Sequence, residues 1–133
     1  MAVQKIMVVD DSPTECALIE GMLKKGGYEV LVATSGEAAV ERARAEQPHL
    51  ILMDVVMAAL NGFQATRAIT RDAKTSHIPV IICSSKKQET DKIWGIRQGA
   101  KDYLTKPVQE AALLEKITAL VEGKTVPASL PRM

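Results

Sequence analysis

Residues 50–54, LILMD, form an unbroken apolar run that ends in a carboxylate. A strand with one wet face alternates apolar and polar residues, so a run with no polar member reads as a strand covered on both faces. Outward from it, similar β-rich runs recur: KIMVV (5–9), EVLVA (29–33), VIICS (80–84) and DYLT (102–105). Helical stretches fill the intervals. Strict alternation of strand and helix predicts an α/β domain, with a parallel sheet, right-handed crossovers and helices on both faces.

The helix signals are local and specific. Ser12-Pro13-Thr14-Glu15 combines an N-cap serine, proline at the first helical position and glutamate at the third, the spacing of a capping box. The helix it opens is expected to carry Leu18, Ile19, Met22 and Leu23 on one face and to stop at Gly26-Gly27. Thr34-Ser35-Gly36-Glu37 repeats the capping-box spacing ahead of Ala38, Ala39, Val40 and Ala43. Further helices are expected over 62–72, 88–98 and 109–121; the last has Leu113, Leu114, Ile117, Leu120 and Val121 at helical spacing. Around the helix at 88–98, Ile93, Ile96 and Ala100 fit an inward face, leaving Trp94 and Arg97 outside. Residues 124–133, KTVPASLPRM, lack periodicity and read as a tail after a domain over 1–123.

The 133 residues are 47% apolar and 25% charged, the composition of a folded domain with one core rather than a disordered chain. Aromatics are confined to Trp94, Tyr28, Tyr103 and Phe63, so Val, Ile, Leu, Met and Ala must build that core. A net charge of +1 and the lack of a Lys/Arg-rich run argue against a nucleic-acid surface. No segment approaches the roughly 20 apolar residues of a membrane span, and the expected location is cytoplasmic. Cys16 and Cys83 lack metal-ligand spacing and sit in apolar stretches, as buried free thiols do.

The chemistry gathers where the strands stop. Asp10 and Asp11 follow the first strand, Asp54 ends the third, Ser84 ends the fourth and Lys106 follows the fifth. In an open parallel sheet these carboxyl ends share one edge, where ligands bind. Each residue alone has an ordinary reading, a loop acid, a helix cap, a turn serine or a surface lysine. Five complementary groups on one edge do not. Carboxylates that converge repel one another, so the edge wants a cation or the acids must partly protonate; Mg²⁺, which takes a few oxygen ligands and keeps its waters, suits it. Mn²⁺ or Ca²⁺ could substitute.

The motifs VVDDS, LILMDVVM…NG, PVIICSS and DYLTKP together resemble a bacterial response-regulator receiver domain, from about Lys5 to Val121. The resemblance implies a flavodoxin-like doubly wound sheet of strand order 2-1-3-4-5 with five helices. It implies a phospho-acceptor switch that assists its own phosphorylation and dephosphorylation rather than an enzyme. Asp54 would accept a phosphoryl group from a histidine kinase. Asp11, Asp54 and the Val56 carbonyl would hold Mg²⁺ directly, with Asp10 acting through water. Ser84 and Lys106 would contact phosphoryl oxygens, Tyr103 would be the aromatic switch, and the Lys106–Pro107 bond would be cis. A downstream protein, not identified by the sequence, would dock on a surface including Trp94, Arg97 and Tyr103; the chain is expected to be a monomer. DDSPTE, LNGFQATR and QETDKIWGIRQGAKDYLTKPV resemble the stand-alone regulators of type IV pilus (twitching motility) chemosensory systems.

Two departures stand out. Ala58 takes the place of the family's usual proline, and Ser84 that of the commoner threonine, which keeps the hydroxyl but frees its χ1. Rival readings fit less well. A receiver that never carries phosphate would lack some of the acids or the lysine. An aspartate-based phosphatase would want a second acid at Val56, and a nucleotide-binding protein would want a glycine-rich loop where DDSPTE stands.

Overall fold

The computed structural model describes residues 4–57, 60–86 and 88–121. Strands and helices alternate: β1 Lys5–Val9, α1 Pro13–Lys25, β2 Glu29–Ala33, α2 Gly36–Glu46, β3 Leu50–Met53, α3 Gly62–Arg71, β4 Val80–Ser84, α4 Glu89–Arg97, β5 Asp102–Thr105 and α5 Glu110–Val121. The strands are parallel and ordered β2-β1-β3-β4-β5, as the resemblance implied. Strand β3 stops at Met53, so Asp54 lies just past the strand rather than in it. The expected tail and Ala58 lie outside the described residues.

The unbroken apolar runs are explained by what each strand face meets. Along β1, β3 and β4, successive side chains point to opposite faces. Ile6, Val8, Leu50, Leu52, Ile81 and Cys83 join Ile19 and Leu23 of α1 and Leu113 and Ile117 of α5 in one core. Met7, Val9, Ile51, Met53 and Val80 join Ala39 and Ala43 of α2 and Ala65 and Ile69 of α3 in the other. Each Leu or Ile removed from water in this way contributes about 1.5–3 kcal/mol. β1 is the point where the winding reverses, since β2 lies on one side of it and β3 on the other. The crevice of a doubly wound sheet opens there, between the ends that carry Asp10 and Asp54.

Several local expectations need correction. In α1 the buried residues are Cys16, Ile19 and Leu23, whereas Leu18 is 53% exposed. Spacing of three and four from Cys16 defines the inward stripe, and Leu18 falls beside it. Ser12 caps α1 by accepting from the Glu15 amide, but no side-chain bond returns from Glu15, because the Ser12 amide donates to Asp10 instead. Helix α2 is capped by Ser35, which accepts from the Ala38 amide, so Thr34 and Glu37 form no box. A reciprocal box occurs at α3, between Asn61 and Gln64.

The largest correction is at α4. Ile93 and Ile96 are 46% and 48% exposed, and Gly95 is the one buried residue of the helix. A Cβ on Gly95 would meet Ile82 Cδ1 at 2.8 Å and the Tyr103 ring at 3.2 Å. The helix approaches the sheet through a glycine, so its isoleucines are turned outward with Trp94 and Arg97. Ala100, beyond the helix, is buried as expected.

Candidate phosphoryl-acceptor site

Strands β1 and β3 deliver the acids. The Asp10 amide continues the sheet by donating to Ala33 O, and the Asp54 amide does the same to Val9 O. Both side chains therefore leave the sheet edge side by side. Asp10 and Asp54 are buried while Asp11 is exposed. Behind Asp54, the first residue of α3 packs tightly on its peptide. A Cβ on Gly62 would run into the Asp54 carbonyl, so only glycine allows this approach.

Lys106 enters from β5. Its amide donates to Ser84 O, which ties the end of β5 to the end of β4. The Lys106–Pro107 bond is cis. Its ammonium donates to Asp10 Oδ2 at 2.8 Å and to Asp54 Oδ1 at 3.2 Å. A third carboxylate, Glu15 Oε1, lies 3.5 Å away. These groups, with Asp11, Ser12, Leu18, Val56, Ser85 and Pro107 among others, line a cleft of about 490 Å³.

The electrostatics follow from burial and crowding. Burial pushes the Asp54 carboxyl above its ordinary pKa; the Asp10 charge adds to this, and Lys106 offsets part of it. For Lys106, burial works against the charged form, but the hydrogen bond to Asp10 and the charges of Asp54 and Asp10 outweigh it and hold the ammonium well above the usual lysine range. One carboxylate oxygen from each of Asp10, Asp11 and Asp54 lies within 4.8 Å of the others. An all-oxygen set with two buried carboxylates sharing one ammonium fits a hard divalent cation, and Val56 lines the same cleft.

Ser84 is fully buried at the end of β4, and its Oγ accepts from the Lys86 amide at 3.1 Å. Tyr103 donates its hydroxyl to the Lys86 carbonyl at 2.7 Å. The two expected switch residues thus grip one backbone residue from opposite ends. Trp94 is 48% exposed on α4 and Arg97 is exposed, outside the cleft. Sequence reasoning misses Glu15, which stands four residues after Asp11 and whose spacing from Ser12 reads as a helix cap. The available signal was that Pro13 and Thr14 carry α1 straight out of the acid pair, so its first turn must border the same cleft.

A family model for the response regulator receiver domain matches residues 6–118. The chain belongs to that family. It is 58% identical over 119 residues to Protein PilH of Pseudomonas aeruginosa, covering 90% of this chain and 98% of that protein, which bears out the expected likeness to type IV pilus chemosensory regulators. It is 36% identical over 122 residues to Response regulator PleD of Caulobacter vibrioides, covering 92% of this chain but only 27% of that protein. Among solved structures, it matches the receiver domain of sensor histidine kinase PA1611 from Pseudomonas aeruginosa, with a magnesium ion coordinated in its active site cleft. The TM-score is 0.84 at 31% identity, over 91% of this chain and 99% of that one. Vibrio cholerae chemotaxis protein CheY4 matches with TM-score 0.83 at 27% identity, over 90% and 99% of the two chains. The structure brings Asp10, Asp11, Asp54 and Lys106 into the cleft, whereas Ser84 ends β4 beside it and is not among the residues that line it. No helix among the described residues is long and apolar enough to cross a membrane.

Proposed function

We propose that this receiver takes a phosphoryl group onto Asp54 from a histidine kinase of chemosensory type and acts in pilus-based motility signalling. The observation that carries the reading is the Lys106 ammonium, held between Asp54 and Asp10 in an open cleft. Asp54 is the carboxylate at the end of the central strand, with its backbone fixed by Val9 and Gly62. That rigidity holds the nucleophile in line for transfer, which in phosphoryl chemistry is most of what a protein supplies. Lys106 would neutralise charge on the transferred oxygens, and Ser84 would turn its hydroxyl from the Lys86 amide toward one of them.

Asp11, Asp54 and the Val56 carbonyl are the groups suited to hold Mg²⁺, with Asp10 beside them. When bound, the ion would supply charge neutralisation for the incoming phosphoryl group. The phosphoryl group adds about −1.5 to −2 charge. Because Ser84 and Tyr103 both hold Lys86, movement of Ser84 toward that charge pulls the loop that leads into α4. Trp94, Arg97 and Tyr103 then belong to the surface a downstream protein would read. The test is intact mass after incubation with Mg²⁺ and acetyl phosphate. The parent gains one phosphoryl group and Asp54→Asn gains none; a full gain in the variant overturns the assignment.

A further inference from the structure

Glu15 stands apart from the other acids of the cleft. Asp10, Asp11 and Asp54 form the group close enough to share a cation, and Glu15 is not in it. Its carboxylate instead faces the lysine, 3.5 Å from the ammonium, from the first turn of α1. It makes no capping bond that would explain that orientation, since Ser12 bonds the Glu15 amide and its own amide is taken by Asp10. The Glu15 side chain is 40% exposed and the Lys106 side chain 15% exposed. Glu15 therefore forms the solvent-facing end of the pair, on the wall of the cleft that also encloses Lys106.

Resting on the phosphoryl-transfer reading above, we propose that Glu15 is an internal competitor for Lys106, a carboxylate that occupies the ammonium until a phosphoryl group displaces it. A donor must then overcome both the ion pair and the like charge of Glu15, so the residue sets how strongly the receiver discriminates between donors by charge. Were a divalent cation held by Asp10, Asp11 and Asp54, those acids would turn part of their charge away from Lys106, and Glu15 would be left as the carboxylate that still faces it. The competition would then be felt in the loaded protein, where the donor's phosphoryl oxygens seek the ammonium. Glu15 is a positioning residue in this scheme, since it acts through Lys106 and not on the phosphorus.

Two donors separate this role from a structural one. Acetyl phosphate is a dianion at neutral pH, whereas phosphoramidate carries less net negative charge. Initial rates of phosphorylation with each, at saturating Mg²⁺, give a selectivity ratio that general loosening of the fold does not move. Glu15→Gln should raise the acetyl phosphate rate about three- to fivefold, the range for a half-exposed ion pair, and the phosphoramidate rate by less. Beryllofluoride, an anionic phosphoryl mimic, should bind Glu15→Gln more tightly by a similar factor. Raising KCl to about 0.5 M should erase most of the difference between variant and parent, because exposed charges are screened at that ionic strength. Glu20→Gln, on the same helix but paired with Lys24, should leave the ratio at the parental value. Glu15→Ala provides the same readout if the amide variant folds poorly. A selectivity ratio unchanged from the parent, or an equal shift in Glu20→Gln, overturns the proposal. A parent that takes up no phosphoryl group from either donor overturns the underlying function instead.

Discussion

The acid cleft and the α4 face are held in opposite ways. In the cleft, charged groups are buried against one another: Asp10, Asp54 and Lys106 form a close set in which each carboxylate shares the one ammonium. On α4, apolar groups are exposed: Ile93, Trp94 and Ile96 face outward and a glycine makes the inner contact. Neither arrangement is the one that maximises stability. Burying like charges costs energy that only a cation returns, and leaving three large apolar side chains in water forgoes burial on a helix of nine residues. On the proposed reading, the difference teaches where a response would be stored: the cleft would receive charge, the helix presents its isoleucines and Trp94 to solvent, and Lys86 joins the two through Ser84 and Tyr103.

The cleft side breaks most severely at Lys106. Lys106→Met leaves two buried acids without their shared cation, and removing one partner of such a set costs about 3 kcal/mol. Urea unfolding in EDTA should show that loss, and Mg²⁺ should recover part of it. The helix side breaks at Gly95. Gly95→Leu must displace Ile82 and the Tyr103 ring, an overpacking worth about 2 kcal/mol, readable as a lower urea midpoint with an unchanged slope.

A smaller effect has the opposite sign. Burial raises the Asp54 pKa, so the folded protein holds that proton more tightly than the unfolded chain does. Its ionisation therefore subtracts stability as pH rises through the raised value, and the penalty disappears as pH falls below the unfolded value. Asp54→Asn should stabilise the metal-free protein at pH 7.5, seen as a higher urea midpoint, with the gain fading toward pH 3.5. A variant less stable than the parent at both pH values would show that Lys106 needs Asp54 more than the cleft resists it. The smallest effect is expected at Trp94. Trp94→Ala should change stability by no more than about 0.5 kcal/mol, read as the urea midpoint, because the side chain is half exposed.

The same contrast explains what could be read from the sequence. Strand runs such as VIICS and LILMD carry their burial in their composition, and the strand-end acids and lysine need only the parallel topology to meet. The acids and the lysine of the cleft were legible on those grounds, whereas Glu15, Leu18 and Ser85, which also line it, were not. Glu15 was hidden because one spacing served two readings, a cap partner and a side chain on the first turn beside the acids. Helix α4 misled for a different reason. Isoleucines at helical spacing predict an inward face only when the helix docks by its side chains, and Gly95 docks it by its backbone. The close approach depends on Tyr103 and Ile82 filling the space from another part of the chain, which no local pattern records.

The claim that the two regions form one switch is tested most directly by hydrogen exchange of the backbone amides, with and without Mg²⁺ and beryllofluoride. The account predicts that exchange changes across α4 as well as at the cleft, and that Tyr103→Ala confines the change to the cleft. Exchange that changes at the cleft alone in the parent, with α4 unaffected, would contradict it.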